Sequence, residues 1–131
     1  METINFGVHF MLDGYGGDSK KLGDKDLVLN SLIELPEKMG MKRLSDAYVF
    51  EAVDNELNDP GGWSGFVVIA ESHISIHTFP KRKFVSIDAY TCKNEIDREF
   101  IINYFKEVFK LEEVEENFVK RGTKYPAKNI C

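Results

Sequence analysis

A chain of 131 residues that is 43% hydrophobic and 12% aromatic is long enough to bury one core and too apolar to stay disordered. Its formal charge of −5 comes with no basic tract, which argues against nucleic acid as the main partner. No run approaches the roughly 18 apolar residues of a membrane span, and Met1-Glu2-Thr3-Ile4-Asn5 lacks the basic start and apolar core of a signal peptide, so the expectation is one cytoplasmic domain with a small-molecule or protein partner.

In chain order, Ile4 to Leu12 reads as the first strand, with Ile4, Phe6, Val8, Phe10 and Leu12 alternating against His9 and Met11. It stops at Asp13-Gly14-Tyr15-Gly16-Gly17-Asp18, which matches no phosphate-binding glycine pattern and reads as a turn needing positive φ. A helix is expected over about Asp24 to Met39, capped by Asp24 or Asp26 and closed by Gly40. Val28, Leu32, Leu35 and Met39 line one face, and Pro36 predicts a kink or an early end. A second strand follows at about Arg43 to Val53, then a polar loop from Asp54 to Gly62.

Three strands come next: Trp63 to Ala70, the stretch Ala70-Glu71-Ser72-His73-Ile74-Ser75-Ile76-His77-Thr78-Phe79-Pro80, and Lys83 to Thr91. The breaks between them are too short for helical crossovers, so they pair antiparallel. A second helix runs from about Glu95 to Lys110 with an apolar stripe of Ile96, Phe100, Tyr104, Phe105 and Val108, and a last strand spans about Val114 to Lys120. The fold class is α+β, a two-layer sandwich of an antiparallel sheet with two helices on one face. The uncovered face would most simply be buried by a second copy, which predicts a homodimer.

The stretch from Ala70 to Pro80 carries two histidines and two serines in a run otherwise shaped like a buried strand, and a hydroxyl beside an imidazole is a reactive pair. Cys92 and Cys131 make no disulfide framework and no zinc spacing. Cys131 reads as incidental, and Cys92 fits either an inert buried thiol or a working one.

Glu71-Ser72-His73, His77-Thr78-Phe79-Pro80, Gly62-Trp63-Ser64-Gly65 and Ile87-Asp88-Ala89-Tyr90-Thr91-Cys92 together resemble the prokaryotic S-adenosylmethionine decarboxylase proenzymes, in the right order and at the right separations. A weaker likeness extends over most of the chain. The resemblance implies that Ser72 attacks the carbonyl of Glu71, turning amide into ester, and that β-elimination then cuts the chain and leaves a pyruvoyl group at residue 72. Residues 1–71 and 72–131 would be the two subunits. It also implies that Ser64 holds the carbonyl or oxyanion, that His77 removes the α-proton during processing, and that Cys92 protonates the product carbanion.

The residue types suit those roles. A pyruvoyl ketone that forms a Schiff base with the substrate amine is an electron sink, so no external cofactor is needed. Imidazole accepts protons near neutral pH, and a thiol near its reference value of about 8.5 is mostly protonated at pH 7. Residues 72 and 77 are five apart and would face opposite sides of a straight strand, so the chain must bend, bulge or be freed to turn by the cut after Glu71, and a bend is the expectation. Glu71 and Trp63 are candidates for substrate contact, Trp63 by stacking on an adenine or by filling its space. The roles of His73 and Asp88 stay open between catalysis and structure.

Gly16-Gly17, Trp63 and Lys81-Arg82 depart from the common pattern of that family, which ranks S-adenosylmethionine first and arginine or ornithine second as substrate. Two other classes stand beside the decarboxylase of polyamine biosynthesis. One is a zinc site built from His73, His77 and Cys92 or Glu71, the other an inactive binding homologue that stays whole.

Overall fold

The computed structural model describes residues 6–53, 61–93 and 96–125. Ten elements follow one another: β1 (Gly7–Tyr15), α1 (Ser19–Leu22), α2 (Lys25–Lys38), β2 (Tyr48–Ala52), β3 (Gly62–Ile69), β4 (Ser72–Phe79), a 3-10 turn at Pro80–Arg82, β5 (Phe84–Thr91), α3 (Arg98–Phe109) and β6 (Glu113–Arg121). All six strands form one antiparallel sheet in the order β2-β3-β4-β5-β1-β6. The β3–β4–β5 meander is the one the short breaks predict. The insertion of β1 between β5 and β6 is a long-range pairing that no local pattern encodes.

Aspartates start the helices. The carboxylate of Asp24 accepts from the N–H groups of Asp26 and Leu27, Asp18 does the same for Lys20 and Lys21, and Asp97 accepts from Phe100. Each satisfies donors that a first helical turn leaves without partners. The helix expected over Asp24 to Met39 is α2, and the short α1 before it is an additional helix outside that expectation. Pro36 does not end α2 early, because it lies in the last turn, where the donor it lacks is missed by Leu32 alone. Gly40, at φ +70°, closes the segment as expected, and Gly16, at φ +69°, turns the chain out of β1. The second strand is shorter than Arg43 to Val53: β2 begins at Tyr48, and Arg43 makes only an isolated bridge to Ile69. Ile4, the polar residues 54–60, the start of the second predicted helix at Glu95, and Cys131 lie outside the described residues.

Side chains alternate across the sheet without interruption, and this decides where everything else sits. Val67, Ile69, Ile74, Ile76, Val85, Ile87, Ala89, Phe10 and Leu12 face the helices and pack against Val28, Leu32 and Leu35 of α2 and Ile101, Phe105 and Phe109 of α3. Burying each such side chain stabilises the fold by roughly 1.5–3 kcal/mol. Among the described residues no helix covers the opposite face. There Tyr48, Phe50, Phe66, Val68 and Val119 are exposed, with Phe50 at 58%. Among the described residues no helix is long and apolar enough to cross a membrane.

Leu32, with no exposed surface, reaches so close to β3 that a Cβ at Gly65 would stand 2.9 Å from its Cδ1. Leu32→Ala should therefore cost about 2–5 kcal/mol of stability, read as a lowered denaturant midpoint at unchanged slope.

Candidate active site

β3 and β4 are joined by only two residues, Ala70 and Glu71, and Ile69 pairs with Ser72 across the join. The favoured two-residue hairpin turns need positive φ at the first loop residue or at both. Here the non-glycine residue at positive φ is the second, Glu71, at +56°. A left-handed L-residue costs roughly 1–2 kcal/mol, so the peptide entering Ser72 leaves a strained position. Lys42 holds the turn by accepting the Ala70 N–H at 3.0 Å.

Ser72 begins β4 on the helix-facing side and is 8% exposed. Its hydroxyl donates to Thr91 Oγ1 at 3.1 Å, and the same oxygen accepts the Lys93 N–H at 3.2 Å. Cys92 comes next. Burial, and after it the hydrogen bond and negative charge of Glu71, push its thiol above the ordinary range, so the sulfur is protonated at neutral pH. Glu71, Ser72, Thr91 and Cys92 therefore meet at one end of the sheet, as the sequence expects of three of them. Thr91 was not singled out. Its position between Tyr90 and Cys92 carries no signal, because its partner lies across a strand pair.

The outer face at the same end holds a second group. His73 lies opposite Tyr90, and His9 flanks Tyr90 from β1 with its Nε2 3.1 Å from Asp88 Oδ1. The Arg121 guanidinium sits 4.9 Å from the Tyr90 ring centre, a cation–π distance. Burial, more than any other cause, lowers the His73 pKa, with the Arg121 guanidinium acting the same way and Asp88 against it, so His73 is neutral at pH 7. Asp88 thus orients His9, one of the two roles weighed for it.

His77 and Ser64 form a pair of their own, with Ser64 Oγ 2.8 Å from His77 Nδ1, on the outer face where the two residues are cross-strand partners. The bend expected between residues 72 and 77 is absent. β4 keeps unbroken register with both neighbours, so no residue is left over to make a bulge. His77 therefore lies about 16 Å along the strand from Ser72 and on the opposite face. Within one chain the pair does not reach the serine.

Two other expectations are corrected. Trp63 points to the helix side, its indole N–H donating to the Gly23 carbonyl at 2.8 Å with Lys25 over its ring, far along β3 from Ser72. It braces the α1–α2 junction instead of lining a substrate site. His73 and His77 share a face but are four residues apart, about 13 Å, too far to bind one ion. Among the described residues no cluster of three or more metal-binding side chains exists.

Comparison with known proteins follows the same residues. The family model described as S-adenosylmethionine decarboxylase matches residues 8–122. An S-adenosylmethionine decarboxylase proenzyme of Pyrococcus abyssi is 35% identical over 122 residues, covering 93% of this chain and 81% of that one. The proenzyme of Brevibacillus brevis is 34% identical, covering 93% of this chain and 86% of its own. A crystal structure of the adenosylmethionine decarboxylase from Aquifex aeolicus has the same fold, with TM-score 0.76 and 24% identity over 91% of this chain and 92% of that chain.

The raised Cys92 thiol has a direct readout. In an uncut Ser72→Ala, Cys131→Ser chain, iodoacetamide should react slowly through neutral pH and accelerate only above the ordinary thiol range. Adding Glu71→Gln should move that midpoint down, because a negative neighbour that opposes thiolate formation is gone.

Proposed function

Because the chain belongs to the S-adenosylmethionine decarboxylase family, we propose that it cuts itself between Glu71 and Ser72 and then decarboxylates S-adenosylmethionine to the aminopropyl donor for spermidine. The observation that carries the reading is the reactive turn: a β-hydroxyl directly after a left-handed Glu71, with a protonated thiol beside both. The arginine or ornithine alternative draws no support from the matched relatives, which carry the S-adenosylmethionine decarboxylase name.

Residues 1–71 and 72–131 are then the two subunits, and residue 72 is the pyruvoyl precursor. The residues fit that group: among the described residues at this end, Ser72 combines a β-hydroxyl with a strained preceding residue, and its own side chain is buried. When formed, the pyruvoyl ketone takes the substrate amine and withdraws electrons as carbon dioxide leaves. The chain's own part is to supply a proton afterwards. Cys92 does so, because its raised pKa keeps the thiol loaded at working pH. Glu71 keeps it so from one side and remains a candidate for substrate contact.

Processing needs Ser64 and His77 at the turn, and one chain does not bring them there. A second copy does. The exposed aromatic face of the sheet needs a cover, and its fixed charges differ along the strands: the Arg121 guanidinium at the reactive end, where Asp88 is taken up by His9, and the carboxylates of Asp13, Glu113 and Glu115 at the other. A face-to-face homodimer with strand directions reversed sets unlike charges against each other. The same reversal carries Ser64 and His77 of the partner subunit toward Ser72, Ser64 for the carbonyl oxygen and His77 for the α-proton.

Three measurements test this. Ser72→Ala should stay one chain by intact mass and release no carbon dioxide from S-adenosylmethionine, whereas the native chain gives two pieces and a carbonyl trapped by borohydride. Cys92→Ala should still be cut but turn over about 100-fold more slowly. Co-expressed Ser72→Ala and His77→Ala chains should yield cut His77→Ala chains, since each mixed dimer pairs an intact serine with an intact imidazole. His77→Ala chains that stay whole in the mixture while the native chain is cut, or that are cut as fast alone as in the mixture, would overturn the dimer arrangement.

A further inference from the structure

The roles above cover the carbonyl oxygen, the α-proton and the product carbanion, and none governs the attacking hydroxyl itself. From the contact between Ser72 and Thr91 we infer that Thr91 is a positioning residue for self-processing, setting the Ser72 hydroxyl for attack on the Glu71 carbonyl; the inference rests on the self-cleavage reading.

Three constraints fix the Thr91 oxygen. It belongs to β5, paired on one side with β4 and on the other with β1, where Thr91 lies opposite Val8. Its β-branched side chain is stiff and 1% exposed. The Lys93 N–H donates to it at 3.2 Å. The serine side chain has three staggered positions about its first torsion, and a bond to a fixed acceptor selects among them. The Ser72 hydroxyl spends its one proton on Thr91 at 3.1 Å, so neither lone pair on Oγ is tied up in accepting that bond.

The step balances without an added reagent. Ser72 Oγ bonds to the Glu71 carbonyl carbon, the bond from that carbon to the Ser72 nitrogen breaks, and the hydroxyl proton ends on that nitrogen as the ester and a free amine appear. A Ser72 hydroxyl without Thr91 would lose its fixed acceptor, keep only the weaker sulfur of Cys92 as a partner and sample other positions, and the attack would slow.

The test follows freshly translated chains by intact mass as they divide. Thr91→Val keeps the shape of the side chain and removes the acceptor, and should divide about tenfold more slowly than the native chain. Thr91→Ser restores the hydroxyl and should come within about twofold. Hydroxylamine, which cleaves esters, separates the steps: Thr91→Val should release no more fragment than the native chain, because the slow step precedes the ester. Thermal midpoints of both variants in the uncut Ser72→Ala chain show whether folding is intact, and Thr91→Ala supplies a second hydroxyl-free chain. Division of Thr91→Val and Thr91→Ala at the native rate overturns the inference. So does equal slowing of Thr91→Ser and Thr91→Val, or accumulation of hydroxylamine-sensitive ester in Thr91→Val. A native chain that stays whole overturns self-cleavage, and this inference with it.

Discussion

An L-residue held in a left-handed conformation at the join of two strands is the constraint from which the rest of this molecule follows. Two residues are too few to connect β3 and β4 comfortably unless the turn follows the strand twist, and Glu71 at +56° does not give that turn. Glycine would relieve the strain at no steric cost. Keeping a glutamate there raises the energy of the peptide before Ser72, and it also sets a carboxylate against the Cys92 thiol. In the proposed reaction one residue would thus serve the backbone before the cut and the acid after it.

The sheet then divides labour by face. Period-2 alternation sends Ser72 and Thr91 to the helix side of the sheet, where both are buried, and sends His73, His77 and Ser64 outward. The outer face carries exposed aromatics that a stable monomer has little reason to display. In the proposed dimer, covering that face and completing the reactive turn are one requirement met by one partner. The carboxylates at one end of the strands and the guanidinium at the other suit the head-to-tail arrangement proposed.

Much of this was legible in the residues. Ile74 and Ile76 against His73, Ser75 and His77 announced β4, and the short breaks on either side announced the meander. Asp24 before Val28 and Leu32 marked where α2 starts. What could not be read was anything decided across strands. Ser72 and His77 were expected to be brought together by a bend, because one chain was imagined to hold the whole site, and unbroken pairing on both sides of β4 forbids it. Trp63 next to Ser64 looked like a neighbour in space, yet adjacent strand residues face opposite ways, and its indole went to Gly23. Thr91 escaped notice because its partner is 19 residues away in sequence. His9 and Asp88 meet only because β1 inserts beside β5, 79 residues apart along the chain.

The chemistry of the thiol explains why its neighbour is a carboxylate and not an imidazole. A histidine beside a cysteine draws the proton away and leaves a thiolate with an imidazolium, which suits a nucleophile and ruins an acid. His73 is next to Ser72 in sequence, yet the alternation of β4 turns it to the outer face, where burial holds it neutral. It offers the sulfur no cation. Glu71 offers an anion instead, so the field at the turn keeps the proton on sulfur, as the proposed proton donor needs. The His77 imidazole is held about 16 Å away on the same strand, and in the proposed dimer it would serve the other chain's turn.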